Sequence, residues 1–168
     1  VGGETVLIED WANQFPSHTI GDLDFGPDGA LYASSGDGAS FNTTDYGQLG
    51  GNPFNDPPNE GGALRSQDVR TTGDPTSLDG SIIRIHPDTG AAASGNPVNS
   101  NDANRNRIIA FGLRNPFRFA FRPGTSEMWI ADVGWNAFEE LNRLDTSGLT
   151  SQPNFGWPAY EGPNRQSG

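Results

Sequence analysis

His18, in Pro16-Ser17-His18-Thr19-Ile20-Gly21, is the residue best suited to acid–base work, because an imidazole can take a hydroxyl proton near neutral pH. Asp37, in Ser35-Gly36-Asp37-Gly38, supplies a carboxylate able to orient that ring and stabilise its charged form. Arg114 and Asn115 set a planar cation beside a bifunctional amide, a pairing that can clamp a planar anionic ligand. In Asp132-Val133-Gly134-Trp135-Asn136 the glycine lets the backbone approach closely, so the carbonyls of Gly134 and Trp135 suit a hard cation. Glu140 is a candidate ligand for a second ion, while its neighbour Glu139 reads as a solvated side chain. Each group also has a plainer reading: His18 as a surface or hydrogen-bonding histidine, Asp37 as a turn residue. His86, at the end of its own strand, reads as structural.

These groups need elements that bring them together, and an internal repeat supplies them. Phe25-Gly26-Pro27-Asp28-Gly29 before Leu31-Tyr32-Ala33 matches Phe121-Arg122-Pro123-Gly124 before Met128-Trp129-Ile130. In both, an alternating strand meets a Pro/Gly turn and returns as a second strand. The two phenylalanines are 96 residues apart, or two units of 48, close to the roughly 40–50 residues of a four-stranded propeller blade. Further strands are expected at Ser81–Ile85 and from Glu140 to Leu144. His18 then precedes one blade's first strand, and Asp37 ends the strand that returns. The expected fold is an all-β propeller covering about three blades, with a long loop insertion between Gly36 and Gly80 and a helical turn near Gln67–Arg70. Closed propellers have about 4–8 blades, so residues 1–168 are expected to be part of a larger domain, truncated at both ends.

Composition narrows the function classes. The net charge is −11 and all ten basic residues are Arg, which argues against binding a phosphate backbone and suits Ca²⁺. With no Cys there are no disulfides, thiol nucleophiles or thiolate metal sites. No apolar run approaches the roughly 18 residues of a membrane span. Asn42-Thr43-Thr44 is a weak glycosylation signal. Asp24-Phe25-Gly26 spells a kinase tripeptide without the lysine or loops a kinase needs, and no EF-hand, P-loop or Rossmann fingerprint is present.

His18 ahead of Phe25-Gly26-Pro27-Asp28-Gly29-Ala30-Leu31-Tyr32, followed by Gly36-Asp37, resembles the start of the catalytic blades in the soluble glucose/sorbosone dehydrogenase family. Asp79-Gly80-Ser81-Ile82-Ile83-Arg84-Ile85, Gly112-Leu113-Arg114-Asn115-Pro116, Glu139-Glu140-Leu141-Asn142 and Asn154-Phe155-Gly156-Trp157-Pro158 follow in the family's order. The resemblance implies a six-bladed propeller holding pyrroloquinoline quinone (PQQ) and Ca²⁺, which oxidises an aldose or related sugar hydroxyl by hydride transfer to PQQ. It implies His18 as general base, Asp37 as its orienting partner, Arg114 and Asn115 on the quinone oxygens, and the carbonyls of Gly134 and Trp135 on Ca²⁺. Trp135 stands where the family usually has Pro. The family's clamp on the PQQ carboxylates lies in blades outside this chain, so the isolated fragment is expected to be inactive. A secreted or periplasmic location and an external electron acceptor, a cytochrome or copper protein, are also implied. Two rival readings are a non-catalytic carbohydrate-binding or adhesion propeller and a Ca²⁺-dependent lactonase-like hydrolase.

Overall fold

The computed structural model describes residues 2–42, 45 and 51–166. Strands β1 (Ile20–Phe25), β2 (Leu31–Ser35), β3 (Ser81–Ile85) and β4 (Ile108–Phe111) form an antiparallel sheet in chain order. Strands β5 (Pro116–Phe121), β6 (Glu127–Asp132) and β7 (Glu140–Asp145) form a second one, and β8 (Tyr160–Glu161) pairs with β9 (Asn164–Arg165) in a third. Three sheets in succession agree with a partial propeller, although only the first carries four strands. Phe25 and Phe121 end the first strands of neighbouring sheets. Their 96-residue separation is therefore one blade step lengthened by insertions, not two units of 48.

Local chemistry explains the hairpins. Between β1 and β2, Gly29 takes a φ of 78°, which suits a residue without Cβ. Asp28 locks the same turn: its carboxylate accepts from the Ala30 N–H at 3.1 Å and the Tyr32 hydroxyl at 3.0 Å, and pairs with Arg84 on β3 at 2.6 Å. In β6 the pattern alternates strictly, with Met128, Ile130 and Asp132 buried and Trp129 and Ala131 exposed.

The main core fills the space between the first two sheets, joining Tyr32, Ile82, Ile109 and Leu113 to Phe119, Met128, Ile130 and Leu144. Full burial of one such aliphatic or aromatic side chain is worth about 1.5–3 kcal/mol. A second cluster of Ala33, Leu78, Ile83, Ile85, Ile108 and Phe111 lies on the other face of the first sheet, where Ile8 and Trp11 pack. That sheet is covered on both sides, which accounts for β4 being buried along its whole length.

The insertion is held by its own charge pair. A 3-10 helix over Gly62–Arg70 buries Arg65, which donates to Asp56 through Nε at 2.9 Å and Nη2 at 2.7 Å and lies over the Phe54 ring. Thr43 and Thr44 of the glycosylation triplet lie outside the described residues. His86 is exposed in the turn after β3, where its Nδ1 accepts from the Asp88 N–H at 3.3 Å. No helix among the described residues is long and apolar enough to cross a membrane.

Candidate active site

His18 and Asp37 meet at the end of the first sheet. The ring Nδ1 lies 2.7 Å from Asp37 Oδ1, with His18 9% and Asp37 1% exposed. The partner is an acceptor, so Nδ1 carries the proton, and in the neutral ring Nε2 then holds the lone pair. His18 sits at φ 53°, a backbone conformation uncommon outside glycine. It is held there by the Gly38 N–H, which donates to the His18 carbonyl at 3.1 Å, and by Gly36, where a Cβ would run into that same carbonyl. Asp37 is fully engaged. Its Oδ1 also accepts from the Ala39 N–H at 3.0 Å, and its Oδ2 accepts from Trp157 Nε1 at 2.7 Å.

Arg114 joins this pair from the segment between β4 and β5. Its carbonyl accepts from the Asp37 N–H at 2.8 Å, and its guanidinium lies 5.4 Å from the centre of the Trp157 ring. Arg114 Nη1 donates to the carbonyls of Val133 at 3.1 Å and Gly134 at 2.8 Å, while Nε is buried with no partner among the described residues. Burial pulls the Arg114 guanidinium below its usual range, against the opposing effect of Asp37, Asp132, Glu161 and Glu139.

Asp132 fixes the main chain of the Arg-Asn pair. Its Oδ2 accepts from the Arg114 N–H at 3.0 Å and its Oδ1 from the Asn115 N–H at 2.7 Å. Burial raises the Asp132 carboxyl to about 7, even though those two N–H groups pull it down.

The loop after β6 closes around a single carboxylate. Glu161 Oε1 accepts from the N–H groups of Trp135 (2.6 Å), Asn136 (2.7 Å), Ala137 (3.1 Å) and Phe138 (3.3 Å). Burial pushes the Glu161 carboxyl up, but these donors outweigh it and hold it below the usual carboxylate range. Gly134 donates instead to Glu139 Oε2 at 3.0 Å, so Glu139 has a structural partner and is not merely solvated. The Glu140 carboxylate accepts from the Gly162 N–H at 2.5 Å and from Asn142 Nδ2 at 3.0 Å, and no hydrogen bond links it to Gly134 or Trp135. The acids that do converge among the described residues are Glu60, Asp68 and Asp74 in the insertion.

The structure thus joins His18, Asp37, Arg114, Asn115 and Gly134 in one hydrogen-bonded network. Sequence reasoning gave no part in it to Trp157, Asp132 or Glu161. Asp132 had a signal: it continues the buried register of Met128 and Ile130, where an acid needs partners.

The sequence model of the Glucose / Sorbosone dehydrogenase family matches residues 3–167. The chain belongs to this family. Among curated proteins it is similar to the HIPL1 protein of Arabidopsis thaliana, at 32% identity over 168 residues, covering 89% of this chain and 20% of that protein. It is also similar to the aldose sugar dehydrogenase YliI of Escherichia coli, at 30% identity over 97 residues, covering 57% of this chain and 24% of that protein. Among solved structures, the PQQ-bound form of the aldose sugar dehydrogenase of Streptomyces coelicolor aligns with a TM-score of 0.60 and 27% identity, covering 90% of this chain and 34% of that one. A putative glucose dehydrogenase of Thermus thermophilus aligns at 0.59 and 27%, covering 89% and 35%. The chain therefore spans about a fifth to a quarter of these curated relatives and about a third of these solved structures.

The donor set of this member suits the group seen in the Streptomyces relative. The unpartnered Arg114 Nε leaves the guanidinium with spare donor capacity for an oxygen acceptor. The Trp135 carbonyl accepts no hydrogen bond among the described residues, and the Gly134 carbonyl, bonded once, retains a second lone pair for a cation.

Proposed function

We propose that the full-length protein is a PQQ- and Ca²⁺-dependent sugar dehydrogenase, and that residues 1–168 carry its general base and part of its cofactor seat. The observation that carries this reading is the buried His18–Asp37 pair at 2.7 Å, bonded through the Asp37 N–H to the carbonyl of Arg114. Asp37 sets the ring so that Nε2 is the acceptor, and Nε2 takes the proton of the anomeric or secondary hydroxyl being oxidised. Imidazolium forms, and the Asp37 carboxylate stabilises its charge. Arg114 and Asn115, with their main chain fixed by Asp132, would hold the quinone, and the Gly134 and Trp135 carbonyls would hold the cation. When bound, PQQ supplies the hydride acceptor and Ca²⁺ the Lewis acid that polarises it. Glu140 belongs to the protein scaffold near this seat, bonded to Gly162 and Asn142. The same reading carries a secreted or periplasmic location and an external electron acceptor, a cytochrome or copper protein.

The test is aldose-dependent dye reduction by the full-length protein, with PQQ and Ca²⁺ each added and omitted. Activity that requires both supports the dehydrogenase. A folded protein inactive under every combination refutes it in favour of a carbohydrate-binding propeller.

A further inference from the structure

Trp157 stands at the junction of the two halves of the site. The segment around it runs beside β4, where the Phe155 N–H donates to the Phe111 carbonyl at 2.9 Å and the Trp157 N–H to the Gly112 carbonyl at 2.9 Å. The insertion fastens it from the other side, through Ser66 Oγ donating to the Trp157 carbonyl at 2.9 Å. The indole is buried against Ala39 and Ala63, with Trp135 packed on it. A tryptophan so enclosed needs an acceptor for its N–H. Here the acceptor is the second oxygen of Asp37, at 2.7 Å, while the ring face meets the Arg114 guanidinium.

We propose that Trp157 is a positioning residue for the acid–base pair, acting through Asp37 on the tautomer and orientation of His18. This rests on the reading of His18 as the base. Asp37 Oδ1 is shared between His18 Nδ1 and the Ala39 N–H. The indole is the donor that holds Oδ2, and so stops the carboxylate turning about its Cβ–Cγ bond. Without it, Oδ2 is left buried and unserved, and the carboxylate gains a second orientation in which His18 Nδ1–H loses its straight acceptor. The ring face does a separate job over Arg114, so one side chain touches both Asp37, which follows β2, and Arg114, which precedes β5.

The two roles separate experimentally. Trp157→Phe keeps an aromatic face for Arg114 and removes the N–H donor. Replacing Trp157 with β-(3-benzothienyl)alanine removes the donor at nearly constant shape, and decides the matter if the phenylalanine variant fails to fold. In the full-length protein loaded with PQQ and Ca²⁺, kcat is expected to fall by about tenfold with KM within twofold, the low end of what outer partners of active-site groups contribute. In the same protein without cofactor, ¹⁵N signals of the His18 ring are expected to change from one Nδ1–H tautomer to a mixture. An unchanged tautomer in the folded variant overturns the proposal, whatever the rate does. The ring signals need neither sugar nor PQQ. A tautomer change in a protein that oxidises no sugar therefore keeps this inference and removes the dehydrogenase reading alone.

Discussion

Replacing Asp37 by Asn tests the site more sharply than deleting the side chain, because shape is kept and only the donor–acceptor logic changes. The carboxylate receives three donors: His18 Nδ1 and the Ala39 N–H on Oδ1, and Trp157 Nε1 on Oδ2. An asparagine has one acceptor oxygen and one NH₂ group. With its oxygen toward His18 and Ala39, the NH₂ faces the indole N–H, donor against donor. With the amide reversed, the NH₂ faces the Ala39 N–H, donor against donor, and also Nδ1, which must then lose its proton, so Nε2 becomes the donor and cannot accept the substrate proton. The first arrangement leaves a buried donor unserved, at about 1–3 kcal/mol of stability. The second removes the general base, worth about 10²–10⁴ in rate, or about 3–5.5 kcal/mol of barrier at 1.36 kcal/mol per decade. Both arrangements also remove the carboxylate charge that stabilises the imidazolium, so turnover of the loaded full-length variant should fall, by about 10² or more where the reversed amide is adopted, with denaturant unfolding reporting the smaller stability loss. A folded Asp37→Asn enzyme within threefold of wild type would refute the reasoning.

The remaining predictions concern the scaffold. Arg65→Met strands the Asp56 carboxylate, whose side chain is only 8% exposed, and should cost about 3–5 kcal/mol, read as a lower denaturation midpoint; an unchanged midpoint would mean the insertion is held by other contacts. Burial raises Asp79 to about 8 and Asp68 to about 7, so both favour the folded state while protonated. Their contribution is complete below the ordinary carboxylate value of 3.8 and is lost as pH climbs through 7 to 8. Asp79→Asn should narrow the stability difference between pH 5 and pH 8, measured by denaturant unfolding at both; an unaltered difference would contradict the burial argument.

Much of the site was legible because its chemistry lies in short motifs at strand ends. His18 before β1, Asp37 after β2 and Arg114 before β5 each sit where a hairpin delivers a side chain to the same end of its sheet. The turn at Gly26–Gly29 was equally readable, since it depends on near neighbours. What was hidden depends on distant pairing. Trp157 is 120 residues from Asp37, and a buried aromatic in a Gly-Trp-Pro stretch reads as packing until its N–H is seen to have a carboxylate acceptor. Glu161 lies on a two-residue strand, too short to carry a periodic signal, yet it gathers four N–H groups from residues 135–138. The blade interval was misread for a related reason: spacing alone cannot tell two compact blades from one blade with a long insertion anchored by Arg65.

The most direct test of the central claim is His18→Ala in the full-length protein, with turnover and PQQ binding measured side by side. The account predicts that turnover falls by about 10²–10⁴ while PQQ affinity stays within a few fold, because the role proposed for the ring is proton transfer and that proposed for Arg114 and Asn115 is holding the quinone. Wild-type-like turnover would contradict it.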